Sequence, residues 1–134
     1  MQQEQEEKYV PGSLEEAVDF LISKNNEATL EKIRSMTERE FMSTVHHGMG
    51  TAIRNDWGLW WHGIKNVEGV PKEMPTLIAE MYSYGIVHGD DISGIILTST
   101  YRKIKGVDRD LPGQIKVYHD HWKRNDFPDG IYKP

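Results

Sequence analysis

Two short stretches hold most of the residue types that can do chemistry. The first, His46-His47-Gly48-Met49-Gly50-Thr51-Ala52-Ile53-Arg54-Asn55-Asp56-Trp57-Gly58-Leu59-Trp60-Trp61, gathers two histidines, an arginine, three tryptophans and several glycines. The second, Gly85-Ile86-Val87-His88-Gly89-Asp90-Asp91-Ile92-Ser93-Gly94-Ile95-Ile96-Leu97, sets an imidazole two residues before a pair of carboxylates. His88 with Asp90 or Asp91 is a conceivable acid–base set. With Arg54 beside it, that set would suit a small hydrolase. Helix capping explains the aspartates equally well: Asp90 is a natural N-cap, and Asp91 would sit against the positive end of the helix.

Other chemistries fit less well. Six histidines invite a metal, and His46, His47, His62, His88, His119 and His121 with Asp56, Asp90 and Asp91 offer nitrogen and oxygen ligands. No two histidines have the i, i+4 spacing that places both imidazoles on one helix face. His119-Asp120 is the dipeptide of helical HD-type phosphohydrolases, but those enzymes need an upstream histidine and an aspartate on a later helix, and only fourteen residues follow Asp120. Asp120 reads more simply as the i, i+4 partner of Arg124. Ser43, Ser83, Ser93 and Ser99 lie in no Gly-x-Ser-x-Gly elbow, and the chain has no cysteine. Gly48-Met49-Gly50-Thr51 lacks the lysine and the third glycine of phosphate-binding loops. No metal, cofactor or catalytic residue is therefore assigned.

Arg54 is the most informative polar residue. It follows Ala52-Ile53 and precedes Asn55-Asp56-Trp57, so its surroundings are apolar. An arginine drawn into such surroundings requires a carboxylate, carbonyls or an anionic ligand, because an unpaired buried charge is costly. Asp90 and Asp91 are the expected internal partners; a ligand-facing or surface Arg54 is the alternative. Trp57, Trp60 and Trp61 stand at i, i+3, i+4, a helical stripe that is usually core, although one ring could line a pocket and stack on a base. Arg54, Asn55, Trp57, Trp60, His88, Asp90 and Asp91 form the expected ligand-binding site or structural junction.

The elements that must position these residues are helical. Ser13 with Glu16, and Thr37 with Glu40, read as capping boxes. Leu14, Ala17, Val18, Leu21 and Ile22 then give one apolar face. Asn25 or Asn26 would cap a shorter helix carrying Leu30 and Ile33, and the third helix points Phe41, Met42 and Val45 inward. Val45, Met49, Ala52 and Ile53 keep the helical period across Gly48 and Gly50, where the helix either continues or kinks. A Gly/Pro-rich loop from His62 to Pro75 follows, and Pro75 suits the first turn of a helix that Gly85 would stop. Ile92, Ile95, Ile96, Leu97, Thr100, Tyr101 and Ile104 wrap a central helix running to about Lys105, although IILTST is also compatible with a strand. A final helix after Pro112 aligns Ile115, Tyr118 and Trp122. The expected architecture is all-α: an irregular single-domain bundle of five or six helices over 13–124, with a loose lead at 1–12 and a turn-rich tail at 125–134.

At 134 residues the chain fits one domain. Its net charge of −5 is uneven: residues 1–47 carry ten acids and five bases, while 101–124 carry seven bases and three acids. That basic segment could attract a phosphate-bearing ligand or an acidic partner, unless it simply forms solvated helix faces. Nothing resembles the continuous basic stripe of a duplex-DNA binder. No apolar run is long enough for a transmembrane helix, and the acidic MQQEQEEKYV lacks the apolar core of a signal peptide. A cytoplasmic location is expected.

The blocks Gly50-x-x-Ile53-Arg54-Asn55-x-Trp57-Gly58-Leu59-Trp60 and Gly85-Ile86-x-His88-x-Asp90-Asp91-x-Ser93-Gly94-Ile95-Ile96-Leu97 together resemble a small bacterial and phage domain of unknown function. In that family the second block often reads His-Pro-Asp-Asp-Met-Ser-Gly; here Gly89 replaces the proline and Ile92 the methionine. The resemblance covers roughly 38–105, with an echo in Val117-Tyr118-x-x-x-Trp122. It implies one coherent site and no particular reaction. The expected function is a small non-enzymatic binding protein, an accessory factor that inhibits or sequesters a host component. Its partner would be a protein or a phosphate-bearing, nucleotide-like molecule; the alternative is the hydrolase using His88, Asp90 or Asp91 with Arg54.

Overall fold

In a computed structural model, residues 9–61 and 73–134 are described. They form α1 (Leu14–Ser23), α2 (Glu27–Arg34), α3 (Glu38–Val45), a π turn (His46–Gly50), α4 (Thr51–Asp56), α5 (Thr76–Ser83), α6 (Gly89–Lys105) and α7 (Leu111–Arg124). The α3 helix, π turn and α4 run on without a break, so the described residues make six helical rods and no strand. The protein is all-α, and the strand alternative for IILTST falls away. His62 and most of the loop expected over 62–75 lie outside the described residues, as do residues 1–8 of the lead.

The centre of the bundle is α6, against which α1, α2, α3, the π turn, α4 and α7 all pack. Ile92, Ile95, Ile96, Leu97, Thr100, Tyr101 and Ile104 are buried on it, as their wrapping of the helix predicts. Each such aliphatic side chain contributes roughly 1.5–3 kcal/mol by leaving water. From α1, Leu14, Ala17, Val18 and Leu21 close one side, while Phe41 and Ile53 close the other. The helix ends where Gly106 takes a left-handed φ of 82°, a conformation that glycine adopts without a Cβ clash.

Several local expectations need correction. Ser13 accepts from the Glu16 N–H, but the Glu16 carboxylate turns to the Gly12 N–H at 2.7 Å, so only Thr37–Glu40 forms the full reciprocal box. Of the two expected candidates for the α2 cap, Asn26 takes the role. Pro75 stands just before α5 rather than in its first turn. His88, not Asp90, caps α6, its Nδ1 accepting from the Asp90 N–H at 3.2 Å. Ala52 faces solvent, because the extra residue in the π turn rotates the face that follows it. Asp120 pairs with Lys116 at 2.6 Å, one turn back, instead of with Arg124.

Of the expected lead, residues 9–12 are described: Tyr9 stacks on Phe20 and the Gly12 carbonyl accepts from Thr76 at 2.8 Å. The acidic and basic parts of the chain meet where α1 and α3 face α6 and the loop that follows it. Lys103 bridges Glu15 at 2.8 Å and Asp19 at 2.6 Å, Arg109 also pairs with Glu15, and Arg102 holds Glu38 at 2.7 Å. Much of the charge asymmetry is thus neutralised within the fold.

Candidate functional site

Arg54 crosses from α4 to the first turn of α6. Its Nε lies 3.3 Å from Asp90 Oδ1, and its Nη1 donates to Ser93 Oγ at 2.9 Å. Ser93 in turn donates to the Asp90 carbonyl at 3.0 Å. On the near side, Nη2 donates to Thr51 Oγ1 at 3.1 Å and to the His46 carbonyl at 3.4 Å. The guanidinium, on a residue only 7% exposed, therefore ties the π turn to α6. Five N–H donors in a rigid fork suit this task better than a lysine would.

Gly50 supplies the room. A Cβ there would stand 2.9 Å from Arg54 Nη1, so a side chain would push the guanidinium off its partners. The π turn itself sits where these contacts converge. Such turns widen a helix by one residue and often mark sites where another group must approach.

Around the start of α6 the chemistry becomes aromatic. The His88 ring lies 5.1 Å from Trp60, 5.5 Å from Trp122 and 4.8 Å from Tyr132, centroid to centroid. Trp60 lies flat over Gly89, where a Cβ would stand 2.6 Å from the indole. That contact explains the glycine after His88: the helix must begin directly beneath a tryptophan. A similar close approach recurs at Gly94, further along α6, where the Tyr118 hydroxyl lies over the backbone. Burial, together with the nearby Asp91 and Asp90 charges, pushes the Tyr118 hydroxyl up to about 12.

Asp91 points the other way from Asp90. It is 8% exposed, and its Oδ2 accepts from Trp122 Nε1 at 2.7 Å. Burial raises its carboxyl above the ordinary aspartate value, against the Trp122 hydrogen bond and the His88 and His121 charges, which pull it down. The expected pairing of Arg54 therefore resolves onto Asp90, and Asp91 is taken up by Trp122 of α7.

The expected set is brought together only in part. Arg54, Trp60, His88, Asp90 and Asp91 converge on the start of α6, whereas Asn55 is exposed on α4. Trp57 is buried against the other side, edge-on to Phe20 at 6.0 Å. The tryptophan stripe does not form as a helix face, because α4 stops at Asp56 and Gly58 turns the chain with a φ of 65°. Of the remaining histidines, His46 and His47 face a shallow depression beside Met42 and Ser43, and His119 Nε2 is buried with no hydrogen bond among the described residues. Among the described residues no group of three or more such side chains could hold a metal ion.

Sequence reasoning missed Gly50, Thr51 and Ser93 as partners of Arg54. It also missed the tail: Phe127 packs edge-on to Trp122 at 5.5 Å, and Tyr132 lies 4.7 Å from the same ring. A separate groove of about 310 Å³ opens between α3, α6 and α7, with Glu38, Arg102, Gln114 and exposed Val117 on its walls. Among the described residues no helix is long and apolar enough to cross a membrane.

Comparison with curated proteins gives no match, and neither does comparison with solved structures. A family model described as a domain of unknown function (DUF6794) matches residues 10–104, the stretch from just before α1 to the last turn of α6. That stretch carries Arg54, His88, Asp90 and Asp91, while α7 and the tail lie beyond it. The chain belongs to this family of unknown function, DUF6794.

Proposed function

We propose that this protein is a small non-enzymatic binding protein whose target is another protein. One observation carries the reading: the polar groups best suited to chemistry already hold partners inside the fold. Arg54 is taken up by Asp90, Ser93, Thr51 and the His46 carbonyl; His88 Nδ1 caps α6; Asp91 holds Trp122. Groups engaged in this way fix helices against one another, and the surface is left to do the work.

The same reasoning favours a protein over a phosphate-bearing ligand. Arg102, Lys103 and Arg109 hold carboxylates, Lys105 holds the Arg34 carbonyl and Lys116 holds Asp120. A phosphate would have to displace those partners first. In this reading the protein, bacterial or phage-borne, acts in the bacterial cytoplasm as an accessory factor that sequesters a host component.

The raised carboxyl of buried Asp91 near His88 favours a second reading, a small hydrolase. Native mass spectrometry of the purified chain mixed with bacterial extract tests the first: a complex with one protein of defined mass is expected. Recovery of the free chain alone would contradict it. Asp91→Asn should leave that complex intact, whereas the hydrolase reading requires a hydrolytic activity that this substitution abolishes while the fold persists.

A further inference from the structure

Residues 126–134 follow α7 without helix or strand, yet they cover the most chemically distinctive region of the molecule. Two kinds of attachment can be compared there. The α7 helix is tied to α6 by hydrogen bonds between side chains, Trp122 to Asp91 and Gln114 to Ser99. Among the described residues the tail's hydrogen bonds stay local: Phe127 N–H to the Trp122 carbonyl, Gly130 N–H to the Phe127 carbonyl, and Ile131 N–H to Asp129. Its ion pair, Lys133 with Asp129 at 2.8 Å, is local too.

Beyond Trp122, rings and one close backbone approach attach the tail. Tyr132 lies against His88 and Trp122, and Phe127 against Trp122. Gly130, at a φ of 77°, lies so close to His119 that a Cβ would stand 3.0 Å from the His119 carbonyl. Ile131 shares with the His119 ring the space over Gly85. The link to α7 is Asp126, a non-glycine residue held at a left-handed φ of 72°, a conformation that costs energy for any residue with a Cβ. A segment with a strained hinge, local hydrogen bonds and ring contacts can open without the rest of the fold.

We propose that the tail is an internal ligand. It occupies a docking face made by His88, Trp122, Gly85 and His119, and this face takes an extended peptide of a partner protein that carries an aromatic residue two positions after a glycine. The chain's own Gly130-Ile131-Tyr132 shows the chemistry that fits. His88 lies in the family-matched stretch, whereas the tail that covers it lies beyond that stretch. This rests on the reading that the target is a protein. The partner's peptide displaces the tail, and the tail sets the affinity threshold that the partner must exceed.

The test uses the 134-residue chain and a synthetic peptide of residues 126–134, read by tryptophan fluorescence and checked by helical circular dichroism. Tyr132→Ala weakens the ring contacts. Gly130→Ala keeps every ring of the tail in the sequence, strains the left-handed backbone there and crowds His119. Both variants are expected to bind the peptide at least tenfold more tightly than the unaltered chain, whose own tail competes. A peptide carrying Tyr132→Ala should not bind. Absence of binding to either variant, or equal affinity for variant and unaltered chains, would overturn the proposal. So would loss of the helical signal in both variants, since the tail would then be integral to the fold. Peptide binding without any complex in bacterial extract would leave this docking face standing and remove the proposed function.

Discussion

Arg54 and Lys103 each reach to an acidic residue on another element, yet the two regions differ in what surrounds the charge. Arg54 has a side chain 8% exposed, and three hydrogen-bond partners stand around it besides Asp90. Lys103 is 44% exposed and meets Glu15 and Asp19 in solvent. A charge out of water is costly unless every donor is satisfied, so removing its partners or its shape is felt strongly. A charge in water gains little from its partner and loses little without it. The buried junction therefore defines the geometry of α4 on α6, and the exposed network mostly neutralises charge.

The largest expected effect is at Arg54. Arg54→Ala should cost about 3 kcal/mol or more in urea unfolding, because Asp90, Ser93 and the His46 carbonyl lose a shared donor. A fully stable variant would place Arg54 on a ligand instead. Gly89→Ala comes next, at about 1–3 kcal/mol, since its methyl group would overlap the Trp60 indole at the start of α6. Thermal unfolding followed by near-ultraviolet circular dichroism would show both the loss and a disturbed tryptophan signal.

Asp91→Asn sharpens the comparison by sign. Burial raises the Asp91 carboxyl in the folded state, so its favourable contribution is present at low pH and is lost as pH rises through the raised value. An amide oxygen can still accept from Trp122 while the buried charge is removed. The variant should match the parent within about 1 kcal/mol at pH 7, and its stability relative to the parent should fall as the pH is lowered through the aspartate range. Glu15 behaves in the opposite way. Hydrogen bonds from Lys103 and Arg109 lower its carboxyl from 4.5 to about 2. Its contribution is therefore present above pH 4.5 and lost as pH falls toward 2. Because Glu15 is half exposed, Glu15→Gln should cost only about 0.5 kcal/mol or less at pH 7. Urea titrations at pH 7 and pH 3 should show that difference shrinking.

Much of the scaffold was legible. Apolar residues at helical spacing placed α6 at the centre, and Thr37 with Glu40 marked a true helix start. The requirement that Arg54 find a carboxylate pointed toward the aspartate pair. What escaped had a physical reason in each case. Spacing cannot separate Lys116 from Arg124 as the partner of Asp120, because both stand four residues away. An imidazole Nδ1 can cap a helix as an aspartate does, so His88 displaced Asp90 from that role. The π turn inserts one residue into an otherwise regular period, which carried Ala52 and Asn55 outward. Tyr132 meets His88 across the fold from a turn-rich segment that has no periodicity to read.

The most direct measurement is a pair of double-mutant cycles by urea unfolding, one for Arg54 with Asp90 and one for Lys103 with Glu15. A coupling of about 1 kcal/mol or more is expected for the pair in which Arg54 is buried and Asp90 half exposed, and about 0.5 kcal/mol or less for the pair exposed on both sides. Equal couplings, or an Arg54–Asp90 pair whose members contribute independently, would contradict the assignment of Arg54 as the residue that fixes α4 on α6.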